Sequence, residues 1–179
     1  MTFDNTEHPR ASDGKFAEKL GAAPEVSIAD TEAIRSVLAD HLEVDVADVV
    51  GDDYVHYDNL PTFRVGEEEY AIGTDGQATT AAEESFQKNI WALTNSHLAK
   101  ETGLDEAVFA ELDETADEGT ENLEELTRLL DEHADGGSVG AGKRFIAENG
   151  RGQLLAGYDF EENEIAAADG QTLYLYRLN

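Results

Sequence analysis

The spacing that comes nearest to a known chemistry is Gly137-Ser138-Val139-Gly140-Ala141-Gly142-Lys143. It satisfies G-x-x-x-x-G-K, the start of a loop whose backbone N–H groups cradle phosphates while the lysine reaches the terminal ones. That chemistry needs Ser or Thr next, to hold magnesium, and the chain has Arg144. The acidic stretch His133-Ala134-Asp135 precedes the run where an apolar strand is required. No apolar strand ending in Asp follows to complete a metal site. Nucleotide binding is therefore set aside, and a flexible glycine-rich hinge between helices is expected instead. His8, His41, His56, His97 and His133 include no pair at i, i+3 or i+4, so no helical metal pair exists. None of Ser12, Ser27, Ser36, Ser85, Ser96 and Ser138 sits in a G-x-S-x-G elbow. Asp159, Glu161, Glu162 and Glu164 cluster beside Tyr158. A divalent-metal nuclease uses such carboxylates, but a solvated turn on an acidic surface explains them as well. No catalytic residue, no cofactor and no metal site is expected.

The composition explains why acids are everywhere. Among 179 residues there are 40 Asp and Glu against 12 Lys and Arg, a formal charge of -28. Phosphate contacts need a basic surface, so direct nucleic-acid binding is excluded. An anionic membrane surface would repel the chain, and no run of 18 apolar residues could span one. In molar salt the Debye length shrinks to about 3 Å, and the mutual repulsion of so many carboxylates is screened. Scarce Lys and absent Cys agree with a halophilic, haloarchaeal protein of the cytoplasm or of a virion. Zero Cys also removes disulfides, thiol catalysis and thiolate zinc sites. Acidity can serve a second purpose, in which carboxylates imitate the phosphates of DNA.

Stepping along the chain, residues 1–24 read as a flexible N-terminal arm and 25–179 as one α+β domain. Asp30 caps a helix whose stripe is Ile34, Val37, Leu38, His41 and Leu42, with His41 at the edge of the core. The run 44–50 fits either a short helix or the entry to a strand. Thr62–Val65 and Glu69–Ile72 form a hairpin over Gly66-Glu67. A helix over 78–93 buries Ala82, Phe86, Ile90 and Leu93. The window 101–135 carries 14 carboxylates and Arg128, yet Val108, Phe109, Leu112 and then Leu123, Leu126, Leu129 and Leu130 mark helices beneath them. The acids of that window, Glu111, Asp113, Glu114, Asp117, Glu118, Glu121, Glu124 and Glu125, are a candidate interaction surface. Phe145 and Ile146 sit on a short helix ended by Asn149-Gly150. A last hairpin turns at Asp169-Gly170. Its return strand carries Leu173 and Leu175 on one side and Tyr174 and Tyr176 on the other, the signature of a central strand. The expected fold is an antiparallel sheet from two β-hairpins, with helices packed on one face.

Two segments carry a resemblance. Glu83-Glu84 through Asn89-Ile90-Trp91-Ala92-Leu93 to Ser96-His97-Leu98 is one. The other is Arg151-Gly152-Gln153-Leu154-Leu155-Ala156-Gly157-Tyr158-Asp159-Phe160-Glu161-Glu162-Asn163-Glu164-Ile165 with the ending Tyr174-Leu175-Tyr176-Arg177-Leu178-Asn179. Over about residues 54–179 these resemble small proteins of tailed phages and mobile elements, a family without assigned activity. Phe160 stands where that ending has Gly, and Leu178 where it has Thr, so an altered turn is expected. The resemblance implies a viral or plasmid origin. It also suggests that Asp159, Glu161 and Glu162 hold Arg177 in a structural ion-pair cluster. The expected function is that of a non-enzymatic accessory protein of a haloarchaeal virus or mobile element, with a viral or host protein as partner. An acidic DNA mimic, a virion structural component and a metal-dependent enzyme are the alternatives. Oligomeric state is left open.

Overall fold

The computed structural model describes residues 28–51, 57, 60–115, 122–167 and 169–179. The expected N-terminal arm, with His8, and also His56, Asp117, Glu118 and Glu121, lie outside the described residues. The chain is α+β: seven helices and a five-stranded antiparallel sheet among the described residues.

Helix α1 (Ile28–Leu42) begins two residues before Asp30, which lies in its first turn and not at its cap. Ile34, Leu38 and Ala39 are buried, whereas His41 points to solvent rather than the core edge. The ambiguous run 44–50 does both things in turn. A 3₁₀ turn at Val46–Asp48 is capped by the Asp45 carboxylate, and β1 (Val49–Gly51) follows directly. Arg35 Nε donates to Val49 O at 2.9 Å, which ties α1 to that strand.

Strands β2 (Thr62–Val65) and β3 (Glu68–Thr74) form the expected hairpin, with Phe63 opposite Tyr70 and Gly66 at φ 65 in the turn. Strands β4 (Asn163–Ala166) and β5 (Thr172–Arg177) form the second, with Ile165 opposite Leu173. The two join through β3 and β5, where Ile72 faces Leu175. Strand order is β1-β2-β3-β5-β4, so the sheet is two hairpins plus an added edge strand beyond β2. The position of β5 between two partners accounts for its double-sided apolar pattern.

Helices cover both faces of the sheet, not one. On the first face, α1 packs Ile34, Leu38 and Ala39 against Val49, Phe63, Tyr70, Ile72, Leu173 and Leu175. On the second, α2 (Asp75–Lys88) lays Ala78, Ala81 and Ala82 over Ala71, Tyr176 and Leu60, joined by Leu155 of α7 (Gly152–Leu155). Helix α2 starts three residues before the expected 78 because Thr74 and Gln77 make a reciprocal capping box: Gln77 N donates to Thr74 Oγ1 and Thr74 N to Gln77 Oε1. Small side chains at i, i+3 and i+4 bring this helix close to the sheet.

The far end of α2 belongs to a second layer. Phe86, and Ile90 of the 3₁₀ turn Ile90–Ala92 that follows where the expected helix to 93 stops at Lys88, pack with Leu98 of α3 (Asn95–Thr102), Phe109 of α4 (Glu106–Thr115), Leu126, Leu129 and Leu130 of α5 (Leu123–His133), and Ala141 of α6 (Gly137–Asn149). The chain thus inserts a helical layer between β3 and β4, and Gly103 at φ 72 closes α3. Among the described residues no helix is long and apolar enough to cross a membrane.

The glycine-rich run is the clearest departure from expectation. It is not a hinge loop, because Gly137 through Lys143 are the first half of α6. Close packing explains the glycines. A β-carbon at Gly140 would lie 2.3 Å from Asp135 O, and one at Gly142 would lie 2.9 Å from Phe86 Cδ1. Glycine lowers helix propensity by about 1 kcal/mol, a cost that contact with α2 and α5 offsets.

Candidate functional site

The densest arrangement of chemical groups centres on Arg151, at the mouth of α7. Its side chain is only 10% exposed. Nε and Nη2 donate to the two oxygens of Glu162 at 2.7 and 2.9 Å. Nη1 donates to Asp75 Oδ1 at 2.8 Å, to Asp75 O at 3.1 Å and to Thr79 Oγ1 at 3.1 Å. The guanidinium also lies 4.2 Å from the centre of the Tyr174 ring, and the Tyr176 hydroxyl donates to Glu162. One arginine therefore joins the start of α2, the start of α7, the lead into β4, and the second face of β5.

Electrostatics follow from that geometry. Burial works against the Arg151 charge, but the bonds to Glu162 and Asp75 and the neighbouring Tyr176 outweigh it and raise its pKa. Burial first, then the bond to Glu162, hold the Tyr176 phenol well above the usual tyrosine range. Each guanidinium nitrogen is filled by the chain itself, so the group acts as a structural clamp. The site was missed in the sequence because Arg151 lies 76 residues from Asp75; the available signal was the Arg151-Gly152 step. There the glycine permits tight passage, since a β-carbon at Gly152 would lie 2.3 Å from Phe160 O.

The expected ion-pair cluster divides differently. Glu162 belongs to Arg151 and not to Arg177. Arg177 pairs with Glu68 at 2.5 Å, donates from Nε to Asn179 O, and stacks 3.9 Å from the Tyr158 ring centre. Asp159 accepts from Glu161 N at 3.0 Å, and both residues are exposed. The physical reason is register: Arg177 stands opposite Tyr70 on the first face, Tyr176 on the second, and Glu162 reaches the second. Glu68 also accepts from Tyr70, whose phenol is pushed up to about 12 by burial and then by that bond. Beside the stack lies an open depression lined by Val65, Glu67, Glu68, Arg177 and Asn179.

The phosphate-loop resemblance ends in the helix. Amides of that run are engaged within the chain: Gly137 N donates to Ala134 O and Gly140 N to Gly136 O, each at 3.0 Å. Lys143 is 63% exposed and 4.0 Å from Glu83. Arg144 donates from Nε to Glu101 Oε2 at 2.8 Å and from Nη1 to Asp135 O at 2.7 Å, with the Glu101 side chain 4% exposed. Glycine at 140 leaves the room in which that carbonyl meets the arginine. Asp131 accepts from Ser138 N at 2.8 Å at the opening of α6, and that backbone bond holds its carboxyl below the usual range. His97 sets its ring edge-on to Phe145 at 5.3 Å. Among the described residues no group of three or more metal-binding side chains gathers.

Of the eight candidate surface acids, five lie among the described residues. Glu111, Asp113 and Glu114 are exposed on α4, and Glu124 is exposed on α5. Glu125 is instead half-buried and paired with Arg128 at 2.6 Å, and the bond lowers its pKa. The same arginine holds Glu132 at 2.6 Å. Asp117, Glu118 and Glu121 are outside the described residues.

The loop between α7 and β4 differs from the rest of this surface. Tyr158 is 60% exposed and Phe160 is 55% exposed, with an acid after each. Phe160 adopts φ 61, the left-handed conformation that glycine takes freely. No family model matches this chain, and neither a curated protein nor a solved structure matches it.

Proposed function

We propose that this chain is a non-enzymatic interaction protein whose partner is another protein. The observation that carries the reading is the pair of exposed aromatic residues Tyr158 and Phe160, two positions apart and each followed by an acid. Adjacent exposed aromatics on a charged surface are a feature of contact sites rather than of solubility. The inward-turned bonds of Arg151 support the same reading, since they spend the densest polar cluster on holding elements together. The acidity supports a halophilic, haloarchaeal setting, and the resemblance of the ending supports an accessory role in a virus or mobile element. A virion component is one form of that role.

The exposed acids Glu111, Asp113, Glu114 and Glu124 favour one second reading, a DNA mimic that occupies a host DNA-binding protein. Arg128 counts against it by neutralising Glu125 and Glu132 in the same region. The test is crosslinking of the full chain in host cells, with the lysate kept in molar KCl. The expected result is a stoichiometric protein partner that duplex DNA does not displace. Displacement by DNA would establish the mimic, and a chain that crosslinks to nothing would remove the interaction reading.

A further inference from the structure

We infer that the loop 157–162 is a preformed docking point for an arginine side chain of the partner protein, received by the rings of Tyr158 and Phe160. This rests on the interaction reading above and adds the chemistry of the contact.

The loop is held from several sides. Tyr158 N donates to Arg177 O at 3.3 Å. The backbone runs so close to the last strand that a β-carbon at Gly157 would lie 2.3 Å from Leu178 O. On its far side Phe160 O presses on Gly152, and Glu162 is clamped by Arg151. A contact loop fixed in advance loses little freedom on binding. Within it Phe160 keeps a left-handed backbone and an exposed ring. Both are unfavourable for folding. Unfavourable local geometry of this kind collects at functional surfaces.

The kind of ligand follows from what surrounds the rings. Tyr158 already stacks one guanidinium, that of Arg177, while most of its surface stays open. Asp159 and Glu161 are exposed and follow the two aromatic residues directly in the chain, and Glu67 lines the depression that Arg177 also borders. Aromatic faces with adjacent carboxylates suit a planar cation that can stack and donate at once, which favours arginine over lysine. Direct contact of these carboxylates with the phosphates of DNA or lipid, or with the acidic surface of a second copy, would set like charges against one another. The occupant is a cationic segment of a different protein.

The probe is a short Arg-Gly repeat peptide, with its Lys-Gly counterpart, titrated into the full chain in molar KCl and followed by NMR. The ring resonances of Tyr158 and Phe160 should move with the arginine peptide and move less with the lysine one. Tyr158→Ala and Phe160→Gly should each weaken binding by roughly two- to fivefold. Phe160→Gly should also raise the urea midpoint, since glycine suits that φ, so loss of binding is separable from loss of fold. Glu111→Gln with Glu114→Gln should leave binding unchanged. The site is overturned if binding survives both ring variants, if it follows the Glu111 and Glu114 changes, or if lysine matches arginine. A partner crosslinked in host cells that holds equally to the ring variants would overturn this site and leave the interaction reading intact. Absence of any partner would remove that reading, and the peptide titration then decides the site alone.

Discussion

Arg151 shows what one residue can do when its bonds are all internal. Its guanidinium holds Glu162 with two bonds and Asp75 with two more, at 10% side-chain exposure. Removing one partner of such a pair leaves the other charge shielded and unpaired. Arg151→Ala should therefore lower stability by about 3 kcal/mol in urea titrations run in molar KCl. Arg151→Lys keeps the charge but loses the fork, and should fall between the two. The double variant Arg151→Ala with Glu162→Gln should cost less than the sum of the single changes, because both remove the same contact. A loss under about 1 kcal/mol for Arg151→Ala would reduce the clamp to an ordinary surface pair. Arg177 makes the opposite point. It was expected to share the carboxylates of the loop, but alternation along β5 puts it on the face of Glu68 and Tyr158.

At the scale of elements, α6 is the informative case. Glycines at 137, 140 and 142 read locally as a hinge, yet the helix runs through all of them. Its neighbours supply what propensity lacks: Phe86 of α2 against Gly142, and the Asp135 carbonyl against Gly140. Replacing an interior helical glycine with alanine usually gains about 1 kcal/mol. Gly140→Ala should do the reverse, because its β-carbon would fall 2.3 Å from backbone and not from a movable side chain. A loss of about 1–3 kcal/mol in the unfolding free energy is expected, as for overpacking elsewhere. A gain would show that α5 and α6 can move apart freely. Helix α2 was legible in its middle, where Ala82 and Phe86 are buried as expected, but not at its ends: the Thr74 and Gln77 capping box starts it three residues before the expected 78, and it stops at Lys88.

The whole molecule is dominated by its charge. With 40 acidic and 12 basic side chains, most carboxylates have no cation to meet. At about 0.1 M salt their repulsion extends some 10 Å, against about 3 Å at 1 M. The folded chain holds these charges closer together than the unfolded chain does. Lowering KCl from molar to about 0.1 M should thus lower the urea midpoint and the thermal midpoint together. Sodium and potassium salts should restore it at similar ionic strength if screening is the cause. Unchanged midpoints across that range would count against halophilic adaptation as the origin of the acidity.

By itself the sequence determined whatever depends on period and local sterics. The hairpin at Thr62–Val65, the apolar stripe of Leu126, Leu129 and Leu130, the turn at Asp169-Gly170 and the central character of β5 are all of this kind. So is the acidity, which is a sum over residues. Tertiary structure alone decided the strand order, the covering of both sheet faces, the helical state of Gly137–Lys143 and the partner of Glu162. Each of these rests on contacts between residues distant in the chain. The same holds for Phe160: its identity is plain in the sequence, but its left-handed backbone and exposed ring arise from how Gly152, Gly157 and the end of β5 close around that loop.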